Sequence, residues 1–140
     1  MTRTAVIGLG RIASTWDEER SKYDGWHLPH AHISCMAAVP EIEIVGLSDT
    51  WPEQRDAARA KWGIDALFED YREMLEKEQL DIVAPILPVQ YNPDVVLGCA
   101  EADIKAILCE KPMACSLEEG DRMVAACAAR GIAFAAGDAD

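Results

Sequence analysis

Thr4-Ala5-Val6-Ile7-Gly8-Leu9-Gly10-Arg11-Ile12-Ala13 decides how the rest of the chain is read. Its first four residues are apolar or β-branched with no alternation, as in a strand buried on both faces, and the run stops at glycine. Gly8-Leu9-Gly10-Arg11-Ile12-Ala13 then fits G-x-G-x-x-G/A between a strand and a helix. In that spacing the first glycine allows a tight turn and the second lets the backbone approach a pyrophosphate. A small third residue lets the helix lie close to the strand, with the N–H groups of its positive end facing the phosphates. A plain glycine turn can carry the same letters, so the context decides.

Working outward, strands and helices alternate. Ile42 to Leu47 is a second apolar run and ends at Ser48-Asp49. Pro52 to Trp62 has proline at a first helical position and Gly63 after its end, so start and stop signals agree on a helix. A helix from Tyr71 to about Gln79 and a strand from Asp81 to Leu87 follow. Asn92 to Ala102 reads as a helix with Asn92 as its cap and Pro93 in its first turn. Lys105 to Cys109 is the next strand. Ser116 and Glu119 have capping-box spacing for a helix that ends at Gly131, and Ile132 to Ala136 is the last strand. The alternation predicts right-handed βαβ crossovers and an α/β fold, a doubly wound parallel sheet, in one domain over residues 1–140.

Thr15 to Pro29 (TWDEERSKYDGWHLP) breaks the rhythm. It is polar, aromatic and glycine/proline-bearing, and reads as a loop inserted in the first crossover at about residues 15–29. It is either a variable surface loop or a flap near a ligand or an oligomer contact.

Lys and Arg number 13 against 25 Asp and Glu, a formal charge of −12 over 140 residues. With no basic stripe to offset it, that charge argues against nucleic acid and anionic membrane surfaces as partners. The apolar run at the N-terminus is too short for a membrane span and carries no cleavage site of an export signal. Five cysteines, an odd number without a C-x-x-C pair, sit mostly among apolar residues, which points to reduced thiols and a cytoplasmic location.

Four groups of residues carry chemistry. Asp49 stands at the end of the second strand, where a carboxylate accepts hydrogen bonds from adenosine ribose hydroxyls. It lies about 40 residues past Gly10, against roughly 20 in the usual arrangement, and the Thr15–Pro29 insertion supplies most of the excess. A carboxylate there repels a 2′-phosphate, and no arginine follows in Asp49-Thr50-Trp51, so NAD is favoured over NADP. Trp51 is close enough to lie beside an adenine; the other tryptophans read as packing groups. Lys111, in Cys109-Glu110-Lys111-Pro112, follows a strand end, and ligand crevices of open α/β sheets lie outside such ends. An ammonium there can hydrogen-bond a substrate hydroxyl and relay its proton, although a surface Glu-Lys pair before proline has the same sequence. Asp24, His27, His30 and His32 form a loose His-x-His set that can bind a divalent metal, yet no second ligand group is identifiable, so no metal is assigned. Cys109 and Cys115 adjoin acidic or apolar neighbours that raise a thiol pKa, which argues against a nucleophile.

Val6-Ile7-Gly8-Leu9-Gly10-Arg11-Ile12, the strand-end Asp49, Asp70-Tyr71-Arg72-Glu73-Met74-Leu75, Asp81-Ile82-Val83, Glu110-Lys111-Pro112 and Ser116-Leu117-Glu118-Glu119 together resemble the glucose-fructose oxidoreductase, inositol dehydrogenase and MocA-like family. The resemblance covers nearly all of the chain and implies a Rossmann NAD(P)-binding domain. By it, Gly8, Gly10, Arg11 and Ile12 hold the pyrophosphate, Asp49 with Thr50 the adenosine ribose, and Leu87 and Pro88 neighbour the nicotinamide ribose. Glu110 and Pro112 shape the turn that presents Lys111, which matches the family's catalytic lysine.

The chain departs from the family in reading Leu87-Pro88-Val89-Gln90-Tyr91-Asn92 where a Thr-Pro pair and a later His are common, so that Asn92 takes the place of that His beside the cofactor. The family's substrate domain, with a second catalytic pair of Asp and His, is expected to begin about where these 140 residues stop. The resemblance implies hydride transfer between the nicotinamide and a hydroxyl-bearing carbon of a sugar, inositol or related polyol. The alternatives are a stand-alone nucleotide-binding or assembly module without redox chemistry, and a metal-binding regulator built on the histidine loop. A homo-oligomer is compatible with either reading of the chain.

Overall fold

The structure is a computed structural model that describes residues 1–22 and 29–137. Six strands, β1 (Thr2–Ile7), β2 (Ile42–Ser48), β3 (Leu67–Phe68), β4 (Ile82–Pro85), β5 (Ala106–Cys109) and β6 (Ala133–Ala136), form one sheet in the order β3-β2-β1-β4-β5-β6. Every pairing is parallel. The order reverses between β1 and β4, which leaves a crevice outside their carboxyl ends.

The lack of alternation in the strands has a direct cause. Ala5 and Ile7 of β1 point to one face with Val83 and Ile107, and are covered by Tyr71 and Met74 of α4 (Tyr71–Lys77), Val96 and Cys99 of α5 (Asn92–Ala100), and Met123 and Cys127 of α6 (Leu117–Ala129). Val6 points to the other face with Leu47, Ala84 and Ile86. There it meets Ile33 and Met36 of α2 (His32–Ala37) and Ala58 of α3 (Pro52–Trp62). A strand with helices on both sides must be apolar at every position. Helix α3 has the boundaries read from the sequence and ends at Gly63, whose left-handed φ of 66° lets its N–H reach the Arg59 carbonyl at 2.9 Å.

Two expectations need correction. Residues from Thr15 onward do not start a loop: Arg11–Thr15 makes one wide helical turn and α1 (Trp16–Arg20) continues it. Glu18 and Glu19 form its solvated face, while Trp16, Asp17 and Arg20 are half-buried. Asp17, Glu18 and Glu19 favour its positive end, Glu19 receives Arg11 Nε at 2.8 Å, and the Arg20 guanidinium stacks 4.9 Å from the Trp16 ring. Tyr23–Leu28, with Asp24 and His27 of the proposed metal set, lie outside the described residues.

Asn92 is not a helix cap, because its side chain turns inward to two carbonyls that need a donor. Helix α5 starts after Tyr91 with no side-chain cap, whereas α4 is capped by Asp70, which accepts from the Arg72 N–H at 2.9 Å. The two-residue strand β3 is too short to show any period in the sequence. The Ser116 cap does form, accepting from Glu119 N at 3.2 Å, while the Glu119 carboxylate reaches back to Cys115 N at 2.9 Å.

Candidate functional site

The crevice at the carboxyl ends of β1, β2 and β4 is a cleft of about 760 Å³. Gly8 and Gly10 form its floor, Asp49, Thr50 and Trp51 one wall, and Leu87 and Pro88 the other. Tyr71 and Arg72, from the start of α4, close its far end.

The two glycines are required for different reasons. Gly8 has φ of 90°, and a Cβ on it would lie 2.3 Å from the Ile86 carbonyl oxygen and 2.7 Å from Leu87 Cδ2. The protein itself therefore demands glycine at that point, where β1 and β4 come together. A Cβ on Gly10 would meet no protein atom within 4 Å. No neighbour requires Gly10 to be bare, and the open approach over its backbone faces the cleft. Arg11 and Ile12 begin the helical turn behind it, whose first N–H groups have no partner within the helix. Neither lines the cleft: Ile12 packs its side chain against the core, and Arg11 gives its guanidinium to Glu19.

Asp49 is bound into the same turn. One carboxylate oxygen accepts from Leu9 N and the other from Trp51 N, each at 2.8 Å. Each oxygen keeps a further lone pair for a hydroxyl donor. The long sequence separation between Gly10 and Asp49 vanishes in space because β1 and β2 are neighbours in the sheet. Trp51 is 67 % exposed and offers its ring at the cleft edge beside Asp49.

The remaining predicted residues build a second feature, the turn after β5. Glu110 is buried, its N–H donates to the Pro85 carbonyl at 3.1 Å, and its Oε1 accepts from Lys111 N at 3.0 Å. Glu110 Oε2 lies 2.5 Å from His32 Nε2, at the start of α2. Asn92, fully buried on α5, donates from Nδ2 to the carbonyls of Glu110 (3.2 Å) and Pro112 (3.0 Å), and the Lys111–Pro112 peptide is cis. Lys111 is exposed at the tip. Asn92, Glu110, Lys111 and Pro112 do not line the glycine cleft; the last three form the neighbouring strand end, one strand beyond β4, and Asn92 of α5 holds it.

Sequence reasoning missed Tyr71 and Arg72 as cleft residues, since only the placement of β3 beside β2 brings the start of α4 there. It also missed the partner of His32. Of the proposed metal set, His32 is engaged by Glu110, while the N–H groups of His30 and Ala31 donate to Asp17 at 2.7 and 2.9 Å. Among the described residues no group of three or more His, Cys, Asp or Glu side chains converges. Burial, reinforced by the Glu110 carboxylate and Cys127, pushes the Cys109 thiol up to about 11, which suits packing and not nucleophilic attack.

These features fit a dinucleotide. The bare approach at Gly10 suits a pyrophosphate, Asp49 suits a ribose diol, and the cleft volume falls in the range of small-molecule sites. Residues 2–137 match the profile of the GFO_IDH_MocA family, described as an oxidoreductase family with an NAD-binding Rossmann fold. The chain is 36 % identical over 101 residues to D-apiose dehydrogenase of Paraburkholderia graminis, covering 72 % of this chain and 27 % of that protein. It is 31 % identical over 117 residues to scyllo-inositol 2-dehydrogenase (NAD(+)) of Bacillus subtilis, covering 84 % and 30 %. Among solved structures, the WlbA dehydrogenase from Bordetella pertussis in complex with NADH and UDP-GlcNAcA superposes with a TM-score of 0.79 at 29 % identity, over 96 % of this chain and 36 % of that one. The chain thus spans about a third of the length of these relatives. With the strand order, the glycine turn and the strand-end acid in place, the match over nearly every residue settles the assignment: the chain belongs to the GFO_IDH_MocA family of oxidoreductases and is its NAD-binding Rossmann domain.

Proposed function

We propose that this domain serves a dehydrogenase that oxidises a hydroxyl-bearing carbon of a sugar, inositol or related polyol with NAD. The observation that carries the reading is the pairing of an unobstructed Gly10 with a carboxylate, Asp49, tied to the same turn, at the point where the strand order reverses. The dehydrogenases of apiose and inositol among the relatives supply the substrate class. Asp49, Glu69 and Asp70 all line the adenosine end of the cleft, and Arg72, the cation there, lies 3.5 Å from Asp70. That balance disfavours a 2′-phosphate and favours NAD over NADP.

In this reading the backbone at Gly8, Gly10, Arg11 and Ile12 receives the pyrophosphate, Asp49 and Thr50 the adenosine ribose, and Leu87 and Pro88 flank the nicotinamide ribose. Bound NAD supplies the two-electron acceptor. Lys111 hydrogen-bonds the substrate's hydroxyl at Nζ and relays its proton to solvent as the carbon–hydrogen bond is broken. Asn92 and Glu110 act on this chemistry by holding the turn. No described helix is long and apolar enough to cross a membrane, and the three buried thiols, Cys99, Cys109 and Cys127, suit a reducing cytoplasm.

Titration calorimetry of the folded chain with NAD and NADP tests the reading. Micromolar binding of NAD, with NADP weaker by tenfold or more, is the expected result. A chain shown by circular dichroism to be folded that binds neither cofactor overturns it.

A further inference from the structure

We infer that His32 is a positioning residue for Lys111, acting through Glu110. This rests on the functional reading of Lys111 but concerns a residue from a different part of the chain, brought in by the first crossover. Three observations carry it.

The first is contact. His32 Nε2 lies 2.5 Å from Glu110 Oε2, and the other oxygen of the same carboxylate accepts from the backbone N–H of Lys111 at 3.0 Å. One carboxylate thus spans the imidazole and the peptide from which the Lys111 side chain departs.

The second is burial. The Glu110 side chain is 10 % exposed and that of His32 21 %. A carboxylate so enclosed needs a donor on each oxygen, and removal of one leaves a desolvated oxygen that turns toward water. That rotation releases the Lys111 N–H, because the bond depends on the rotamer of Glu110. An exposed ion pair has no such leverage.

The third is anchorage. His32 opens α2, and the two residues before it, His30 and Ala31, donate their N–H groups to Asp17 of α1 at 2.7 and 2.9 Å. Met36 and Ile33 fix the other face of α2 in the core. The imidazole therefore projects from a backbone held at both ends, and is a rigid stop against which Glu110 rests. Asn92 grips the carbonyls on either side of Lys111 while the His32–Glu110 pair grips its N–H. The carbonyl clamp sets where the turn lies, and the N–H clamp sets how the lysine leaves it. A displacement of about 1 Å at a reacting group is enough to cost on the order of 100-fold in rate.

The test compares His32→Leu, which has no donor, with His32→Gln, whose side-chain amide can donate at a similar reach. Two readouts are taken. The amide resonance of Lys111 in ¹H–¹⁵N spectra of the chain reports the Glu110 contact independently of turnover. In the complete protein, kcat and KM for the polyol are read alongside the Kd for NAD. His32→Leu is expected to move the Lys111 amide proton upfield and to lower kcat by roughly 10- to 100-fold, with the NAD Kd within about twofold of wild type. His32→Gln is expected to recover most of both effects. Should His32→Leu fail to fold, His32→Asn, polar but too short to reach Glu110, takes its place with the same expectations.

An unmoved Lys111 amide in a folded His32→Leu chain overturns the inference, as does unaltered kcat, or a His32→Gln variant no better than His32→Leu. Failure of the functional reading looks different: the wild-type chain then binds no NAD, while the dependence of the Lys111 amide on His32 still decides the positioning role.

Discussion

The glycine turn after β1 and the lysine turn after β5 lie two strands apart on the same edge of the sheet, and they are built on opposite principles. The glycine turn works by the absence of side chains. Gly8 is bare because the Ile86 carbonyl occupies the space of a Cβ, and Gly10 leaves an open approach. Asp49, which accepts from its Leu9 N–H, comes from the neighbouring strand end. The lysine turn works by the presence of side chains, with Asn92 of α5, His32 of α2 and the turn's own Glu110 fixing its backbone. A phosphate needs room and N–H groups, which glycine gives locally. A single amine that must meet one hydroxyl needs a fixed direction, which only contacts from elsewhere can set.

The sharpest division between the two turns is functional. Lys111→Ala in the complete protein is expected to lower turnover by about 10²- to 10⁴-fold while the NAD Kd stays within about twofold. Steady-state kinetics with calorimetry check this, and unchanged turnover would break the comparison. At the other turn, Gly8→Ala is expected to lose both folding stability and NAD affinity. A Cβ there needs the left-handed backbone at φ of 90° and meets Ile86 O at 2.3 Å, which together cost roughly 3 kcal/mol or more. Urea unfolding of the variant measures it; wild-type stability would mean that β1 and β4 can part without cost.

Asn92→Leu separates structure from binding within the lysine turn. It deprives the carbonyls of Glu110 and Pro112 of their donor, and is expected to cost about 2 kcal/mol, seen as a lower melting temperature with NAD binding retained. The smallest effect concerns Asp17. Burial alone would raise its pKa, but hydrogen bonds from the Ser34 side chain and the N–H groups of Ala31 and His30 outweigh burial and hold it below 3.8. A depressed carboxylate stabilises the fold fully above its unfolded value and loses that contribution as pH falls through the folded one. Asp17→Asn is therefore expected to cost about 1 kcal/mol near neutral pH and to converge on wild type as pH falls through the folded pKa of Asp17, as thermal melts across pH will show.

Legibility followed the same division. The Gly8–Ala13 hexapeptide, Asp49 and helix α3 were readable because each depends on residues within a turn of one another or on a strand end. Asn92 misled, since asparagine before Pro93 looks like a cap and nothing local shows two carbonyls waiting for its Nδ2. Thr15–Arg20 misled for the converse reason: charges read as a loop, although Trp16 had Arg11 and Arg20 to stack on it once the chain was helical. His32 looked like half of a metal pair because sequence shows which residues are adjacent and not what faces them.

Sequence alone determined the parallel sheet, the glycine turn and the strand-end acid, because hydrophobic period and glycine steric freedom act over a few neighbouring residues. Tertiary structure alone decided which side chains support Lys111 and where α4 meets the cleft. Those contacts join residues 18 to 78 positions apart, and are fixed by strand order and by the need of buried carbonyls and carboxylates for donors, which no local pattern records.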